Sequence, residues 1–525
     1  MRMIILFNGR VGVSRSKNSR NTAIAIDRDR IAAVGNDADI LNLATATTKK
    51  VNLGGKTVWP GLTDSHLHLE LLGEKLVSVD CNTATREECL KRVEEKARSR
   101  PICEEWIKGN GWNQNLWQGG FGLAAELDAV SHGHPVLLYD QSLHSAWVNN
   151  KALQMAGIDA GTSDPVGGLI RRNPNGEPSG ILHESAMRLV EKVIPPPSNE
   201  TRESEMKATQ SYMHGFGITT VNDFDTFSSL QTLTRLREKD ELRLRIMKGI
   251  PIEQLDWAIE NHIQTGSGDD YIKWGWVKLF ADGALGPQTA AMLQPYETDP
   301  ANFGKLLLES CDVLERGIQA VKHGLSLAIH AIGDRAVYEV LRGYAQLREY
   351  EQQNQIVTCP HRIEHLQLIA PEDLPLLSDL NLVASMQPIH LLTDKPTAEK
   401  QWGKRSRYAY AFRSIFDSGA NLILGSDTPV ESPNPFAAMH TAVARKVGNH
   451  PSVKPWYPDE RINLQEAIDG YTASPARLFG FTSGRLNAGD LADIIILDND
   501  PFQMEMDEFH NLLPLQVMFA GQWTT

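Results

Sequence analysis

The sequence predicts an α/β chain: eight parallel strands closed into a (β/α)8 barrel, a large insertion, and a small β-sandwich domain built from both termini. Three observations predict this. Short apolar strands alternate with helix-like stretches through the middle of the 525 residues, as parallel β-α units do. Polar residues able to do chemistry recur at the C-terminal ends of those strands, where such barrels keep their sites. Strand-like segments also lie at both ends of the chain.

The first 59 residues read as short strands, with Thr22–Ile26 and Ile31–Gly35 forming a hairpin across the charged turn Asp27-Arg28-Asp29-Arg30. Gly489–Asp498 reads as a buried strand and Leu515–Trp523 as another. Residues 1–59 and 482–525 are therefore expected to form one composite β domain, with the barrel over 60–481. The first barrel strand runs into Gly61-Leu62-Thr63-Asp64-Ser65-His66-Leu67-His68. The other candidates are Pro135–Asp140, Ile218–Asp223, Trp274–Phe280, Leu325–His330, Arg362–His365, Leu382–Gln387 and Asn421–Asp427. The stretch from about 75 to 215 is too long for one crossover. It reads as the second strand plus an insertion, ending near Pro195-Pro196-Pro197 before a helix from Asn199.

Apolar residues make up 41% and charged residues 22%, the composition of a globular chain. A net charge of −13 argues against a nucleic-acid partner. The five cysteines, Cys81, Cys89, Cys103, Cys311 and Cys359, never form a C-x-x-C pair, which suits free thiols in a reducing compartment. The apolar run Met3–Phe7 is too short for a signal peptide core, and no segment approaches a membrane span. The expected protein is cytoplasmic, binds neither membrane nor nucleic acid, and acts on a small molecule; whether it is a monomer or a homodimer is open.

On a strand, His66 and His68 point to the same side. Further along, Lys278 lies in the fourth strand, His330 ends the fifth, His365 the sixth and Asp427 the eighth. Four histidines and an aspartate at one rim can hold one or two divalent ions. Such an ion lowers the pKa of bound water to about 7, giving hydroxide at neutral pH. Asp427 could ligate and also take the water's proton. Lys278 is the discordant member, because an ammonium repels cations; the plain alternative is a strand lysine reaching solvent or paired with Asp282. If it reacts with carbon dioxide it becomes an anionic carbamate able to bridge two metals.

These motifs resemble the amidohydrolase superfamily, specifically amidohydrolase family 3, the YtcJ-like branch that includes N-substituted formamide deformylases. The resemblance runs from Pro60–His68 through Gly109-Asn110-Gly111-Trp112, His134-Pro135-Val136, Val277–Gly286, His330, His365 and Gly425–Val430 to Ala473-Ser474-Pro475-Ala476 and Gly489–Asp493. It implies a two-metal site, most readily zinc. His66, His68 and Asp427 would hold one ion and His330 and His365 the other, with carboxylated Lys278 between them. It implies hydrolysis of a non-peptide amide bond by metal-activated hydroxide, with Asp427 as general base and acid. Trp112, His144, Glu184 and Gln387 resemble substrate-pocket positions of the family, each with a packing or surface role as the alternative. The hairpin departs mildly, since Asp27–Arg30 replaces a usual turn glycine.

Two motifs are decoys. His132-Gly133-His134 precedes its strand and is expected at the barrel's bottom. His361-Arg362-Ile363-Glu364-His365 matches a metalloprotease pattern that requires a helix, whereas Pro360 and Ile363 favour a strand. A deaminase on the same barrel, or a non-enzymatic assembly protein of this fold, are the rival readings.

Overall fold

The computed structural model describes residues 3–13, 21–99, 105–114, 116–140, 145–448 and 453–524. The chain divides into two compact units, Met1–Glu70 with Met206–Thr525, and Leu71–Glu205.

The first unit contains an eight-stranded sheet with the strands β1 (Leu62–Leu67), β2 (Ile218–Asp223), β3 (Arg245–Pro251), β4 (Ile272–Phe280), β5 (Leu327–Ala331), β6 (Arg362–His365), β7 (Val383–Met386) and β8 (Asn421–Leu424), neighbours in that order. Every pairing is parallel. The ring closes where the segment after β8 meets the end of β1. Asp427 N–H donates to His66 O at 2.7 Å, and His68 N–H to Thr428 O at 2.9 Å. This seam is also cemented by Asp64, whose carboxylate accepts from Ser426 N at 3.0 Å and Ser426 Oγ at 2.6 Å. Burial pushes the Asp64 carboxyl up to about 7 against the pull of those hydrogen bonds.

Two smaller sheets complete this unit. One orders Arg30–Gly35, Ala23–Asp27, Ile4–Phe7 and Lys49–Asn52; the other joins Arg10–Val11 and Thr57–Pro60 to Ile494–Leu497, Gln516–Phe519 and Gln522–Trp523. Leu6, Ile24 and Ile26 from the first meet Val58, Ile494, Ile496 and Met518 from the second in one core. In the hairpin turn, Arg28 takes the left-handed conformation, φ 57°, that a glycine would adopt without steric cost.

One barrel strand differs from the sequence expectation. Val136–Asp140 is not in the barrel. It belongs to a six-stranded sheet in the second unit, between Ile107–Trp112 and Ser145–Val148. Its place in the barrel is taken by β3. That strand carries Arg245 and Lys248 and so does not read as a buried parallel strand. Both charges are fully buried and paired: Arg245 forks onto Asp493, and Lys248 Nζ lies 2.8 Å from Asp223 Oδ2. His132 and His134 consequently belong to the second unit and not to the barrel. His134 Nδ1 lies 2.9 Å from Glu105 O within the second unit.

Arg362–His365 is a strand, so the protease pattern is absent and His361 is structural. Its ring stacks on Tyr344 with centroids 5.1 Å apart. Nδ1 accepts the Leu327 N–H at 3.0 Å, so Nε2 carries the proton and faces Glu351 Oε1 at 3.3 Å. Burial raises the Glu351 carboxyl, but His361, Thr358 and Arg348 outweigh it and bring the group from 4.5 down to about 2. Such a group stabilises the fold above pH 4.5, and that contribution is lost as pH falls toward 2. The stability gap between the wild type and Glu351→Gln, measured by urea unfolding, is expected to narrow across this range. A gap constant with pH would contradict the assignment.

Among the described residues Cys81, Cys89, Cys311 and Cys359 are free; Cys103 lies outside them. No helix among them is long and apolar enough to cross a membrane.

Candidate active site

The strand ends bring one group of side chains together. His66 and His68 each turn Nε2 toward Asp427 Oδ1, both at 3.6 Å. These atoms are too far apart to hydrogen-bond. Two ligands about 2.0–2.1 Å from a tetrahedral ion lie about 3.4 Å apart, so the spacing suits a shared cation.

The other ring nitrogens show which lone pairs face inward. His66 Nδ1 lies 2.6 Å from Glu364 Oε2, and His68 Nδ1 lies 3.2 Å from Asp225 Oδ1. An ionised carboxylate only accepts, so each Nδ1 carries a proton, and in the neutral ring Nε2 presents its lone pair to Asp427. A cation relieves that convergence of lone pairs and negative charge. A carboxylate behind the ring nitrogen is also the usual orienting partner of a metal-binding histidine.

Beneath His66, Glu364 is held by Arg362 through Nε to Oε1 at 2.7 Å and Nη2 to Oε2 at 3.0 Å. The same guanidinium donates to Asn222 Oδ1, to Ser65 O at 2.8 Å and to Ser385 Oγ at 3.0 Å. Glu364 and Arg362 are wholly buried. Burial alone would raise the Glu364 carboxyl, but Arg362 and His66 hold it well below the usual range.

His365 Nδ1 lies 2.9 Å from Gln387 Oε1, and its ring is 4.8 Å from that of His66 and 4.6 Å from that of His330. His330 Nε2 is 2.9 Å from Gly283 O, which leaves Nδ1 as the nitrogen that could ligate. Burial, reinforced by the Lys278 ammonium, lowers His66 to about 4 and His330 to about 3. Both rings are neutral at neutral pH, as metal ligands must be.

One residue escaped the sequence reading. His390 is buried, and its Nε2 faces Asp427 Oδ2 at 3.5 Å. His365, His390 and Asp427 form a second group with ligand atoms within 4.8 Å of one another. The two carboxylate oxygens of Asp427 thus face different sets of histidines. The signal was available: His390 lies just past the end of β7, three residues after Gln387. Burial tends to raise the Asp427 carboxyl, but His390, His66 and His365 hold it well below the usual range.

Lys278 is buried and has no ion pair among the described residues. Asp282 does not pair with it. That carboxylate accepts from the N–H groups of Ala291, Ile332 and Gly333 at 2.8–3.0 Å and lies 3.4 Å from His330. Lys278 Nζ sits between the rings of Phe224 and Phe280, 4.8 and 4.9 Å from their centroids. Burial lowers it from 10.5 to about 8.

Of the substrate-pocket expectations, Gln387 is buried and orients His365. Trp112 instead packs in the core of the second unit with Trp117 and Trp147, its Nε1–H donated to Leu138 O at 2.7 Å. The side chain is fully buried there. Glu184 is an exposed residue ending the strand Pro178–Glu184. His144 lies outside the described residues.

A family model described as the amidohydrolase family matches residues 49–524. The Arabidopsis thaliana protein LONG AFTER FAR-RED 3 is 33% identical, over 96% of this chain and 88% of its own length. An N-substituted formamide deformylase of Arthrobacter pascens is 28% identical over 99% and 98%. The crystal structure of an uncharacterised metal-dependent hydrolase of Pyrococcus furiosus superposes with a TM-score of 0.79 at 27% identity, covering 95% of this chain and all of that one.

Proposed function

Since the chain belongs to the amidohydrolase family and is a hydrolase of carbon–nitrogen bonds, we propose that it cleaves a non-peptide amide with Asp427 as general base and acid. The observation that carries this reading is the convergence of His66 Nε2, His68 Nε2 and Asp427 Oδ1, each nitrogen 3.6 Å from the oxygen and beyond hydrogen-bond distance. A divalent ion held there would polarise the carbonyl and acidify water. His66, His68 and Asp427 would hold one ion; His330 and His365 a second, with zinc the first expectation for both. The buried, unpaired Lys278 amine would close the set once carboxylated by carbon dioxide, which turns a repelling ammonium into an anionic ligand.

In this reading Asp427 accepts a proton from the attacking water and passes it to the leaving nitrogen. The C–O bond forms as the C–N bond breaks, giving a carboxylate and an amine. His390 secures the second oxygen of Asp427 during that transfer. Glu364 and Asp225 fix the ring planes of His66 and His68.

The N-substituted formamide deformylase named above supplies the first substrates to try. Purified protein with N-substituted formamides and N-acyl amines is expected to release primary amine, and a chelator to stop it. Release of ammonia from ring amines instead would favour a deaminase. No turnover on any of these would count against the amide reading.

A further inference from the structure

Phe280 is the last residue of β4 and lies two positions after Lys278, on the same face of the strand. It is opposite His330 in register, with ring centroids 5.4 Å apart. One side of its ring is thus engaged by Lys278 and His330. Yet the residue is 51% exposed. A half-exposed phenylalanine adds little to a core, and this one stands beside two candidate metal ligands. Other apolar side chains are half-exposed on the same end of the barrel: Val430, three residues past Asp427, Leu307, whose N–H bonds Ala281 O at 2.8 Å, and Leu293, whose N–H bonds Asp334. Exposed apolar side chains beside a polar site are a common feature of a ligand surface.

We propose that Phe280 is a specificity residue, whose exposed ring face reads an aromatic or branched apolar substituent attached directly to the scissile amide. The inference rests on the metal-dependent amide reading and adds the substrate class: an apolar substituent next to the bond, in preference to a small or charged one. Ring-on-ring contact and apolar burial give the preference. The rival role for Phe280 is to cover Lys278 and nothing more.

Hydroxamates bind metal through a head group shared by small and aromatic members, so a pair of them separates the two roles without turnover. Acetohydroxamate and benzohydroxamate would be titrated calorimetrically into zinc-loaded wild type, Phe280→Ala and Phe280→Leu. The wild type is expected to favour benzohydroxamate by about tenfold or more, within the span one apolar pocket contact commands. Phe280→Ala should erase the preference and Phe280→Leu keep part of it, with bound metal unchanged in both. An undiminished preference in Phe280→Ala, or an equal loss for both hydroxamates, would overturn the proposal. A wild type that shows the preference but hydrolyses no amide would sink the reaction assignment and leave the aromatic subsite standing. Binding of neither hydroxamate by the wild type would overturn both.

Discussion

Asp427→Asn is expected to lower kcat by about 10³- to 10⁴-fold, at the upper end for loss of an acid–base group, while the protein melts within a few degrees of the wild type. The chain needs two things at this position. The backbone needs a residue that tolerates φ 60° and leaves the N–H free for His66 O. Asparagine adopts the left-handed region more readily than most residues and keeps that donor. The chemistry needs a carboxylate, and an amide neither accepts the water's proton nor balances the charge of the ions. Asp427→Ala would confuse the two effects, because alanine is strained at this φ. Activity retained in Asp427→Asn would remove the residue from its proposed role; a collapsed melt would show the carboxylate to be structural.

Arg362→Met is expected to destabilise the protein by about 3–5 kcal/mol, the usual cost of leaving a buried charge without its partner. The guanidinium spans Glu364, Asn222, Ser65 and Ser385 at full burial. Removing it strands the Glu364 carboxylate inside the barrel. That carboxylate orients His66, so metal affinity should also fall, by about 10- to 100-fold. Arg362→Lys would not rescue, since one ammonium cannot reproduce the fork. The double variant Arg362→Met/Glu364→Gln should recover part of the stability by removing the stranded charge, but not the metal affinity, because His66 then faces an amide. Denaturant unfolding of Arg362→Met, Glu364→Gln and the double variant checks the first expectation. Additive losses in the double variant would refute the coupling.

The barrel and its rim were legible in the sequence for a physical reason. A parallel strand buried on both faces is short and apolar, and the chemistry sits where it ends. His66, His330, His365 and Asp427 stand out because each interrupts or follows such a run. The strand Arg245–Pro251 was illegible because its buried charges are neutralised by Asp223, on the preceding strand, and by Asp493, 248 residues away in the chain. Val136–Asp140 was misplaced because an apolar strand looks the same in either sheet. His390 was missed because it ends a short proline-led helical turn, Pro388–His390, after β7, so it reads as loop. Nor could the sequence reveal that Glu364 and Asp225 stand behind the histidines, since those pairings cross 298 and 157 residues.

The metal content of the protein tests the central claim most directly. Elemental analysis of the wild type and of His66→Ala, His68→Ala and Asp427→Asn, each folded and dialysed against the same zinc-buffered solution, should find one to two equivalents of divalent metal in the wild type and a clear loss in each variant. A folded wild type without bound metal, or variants that retain all of it, would contradict the claim that these side chains meet to grip a cation.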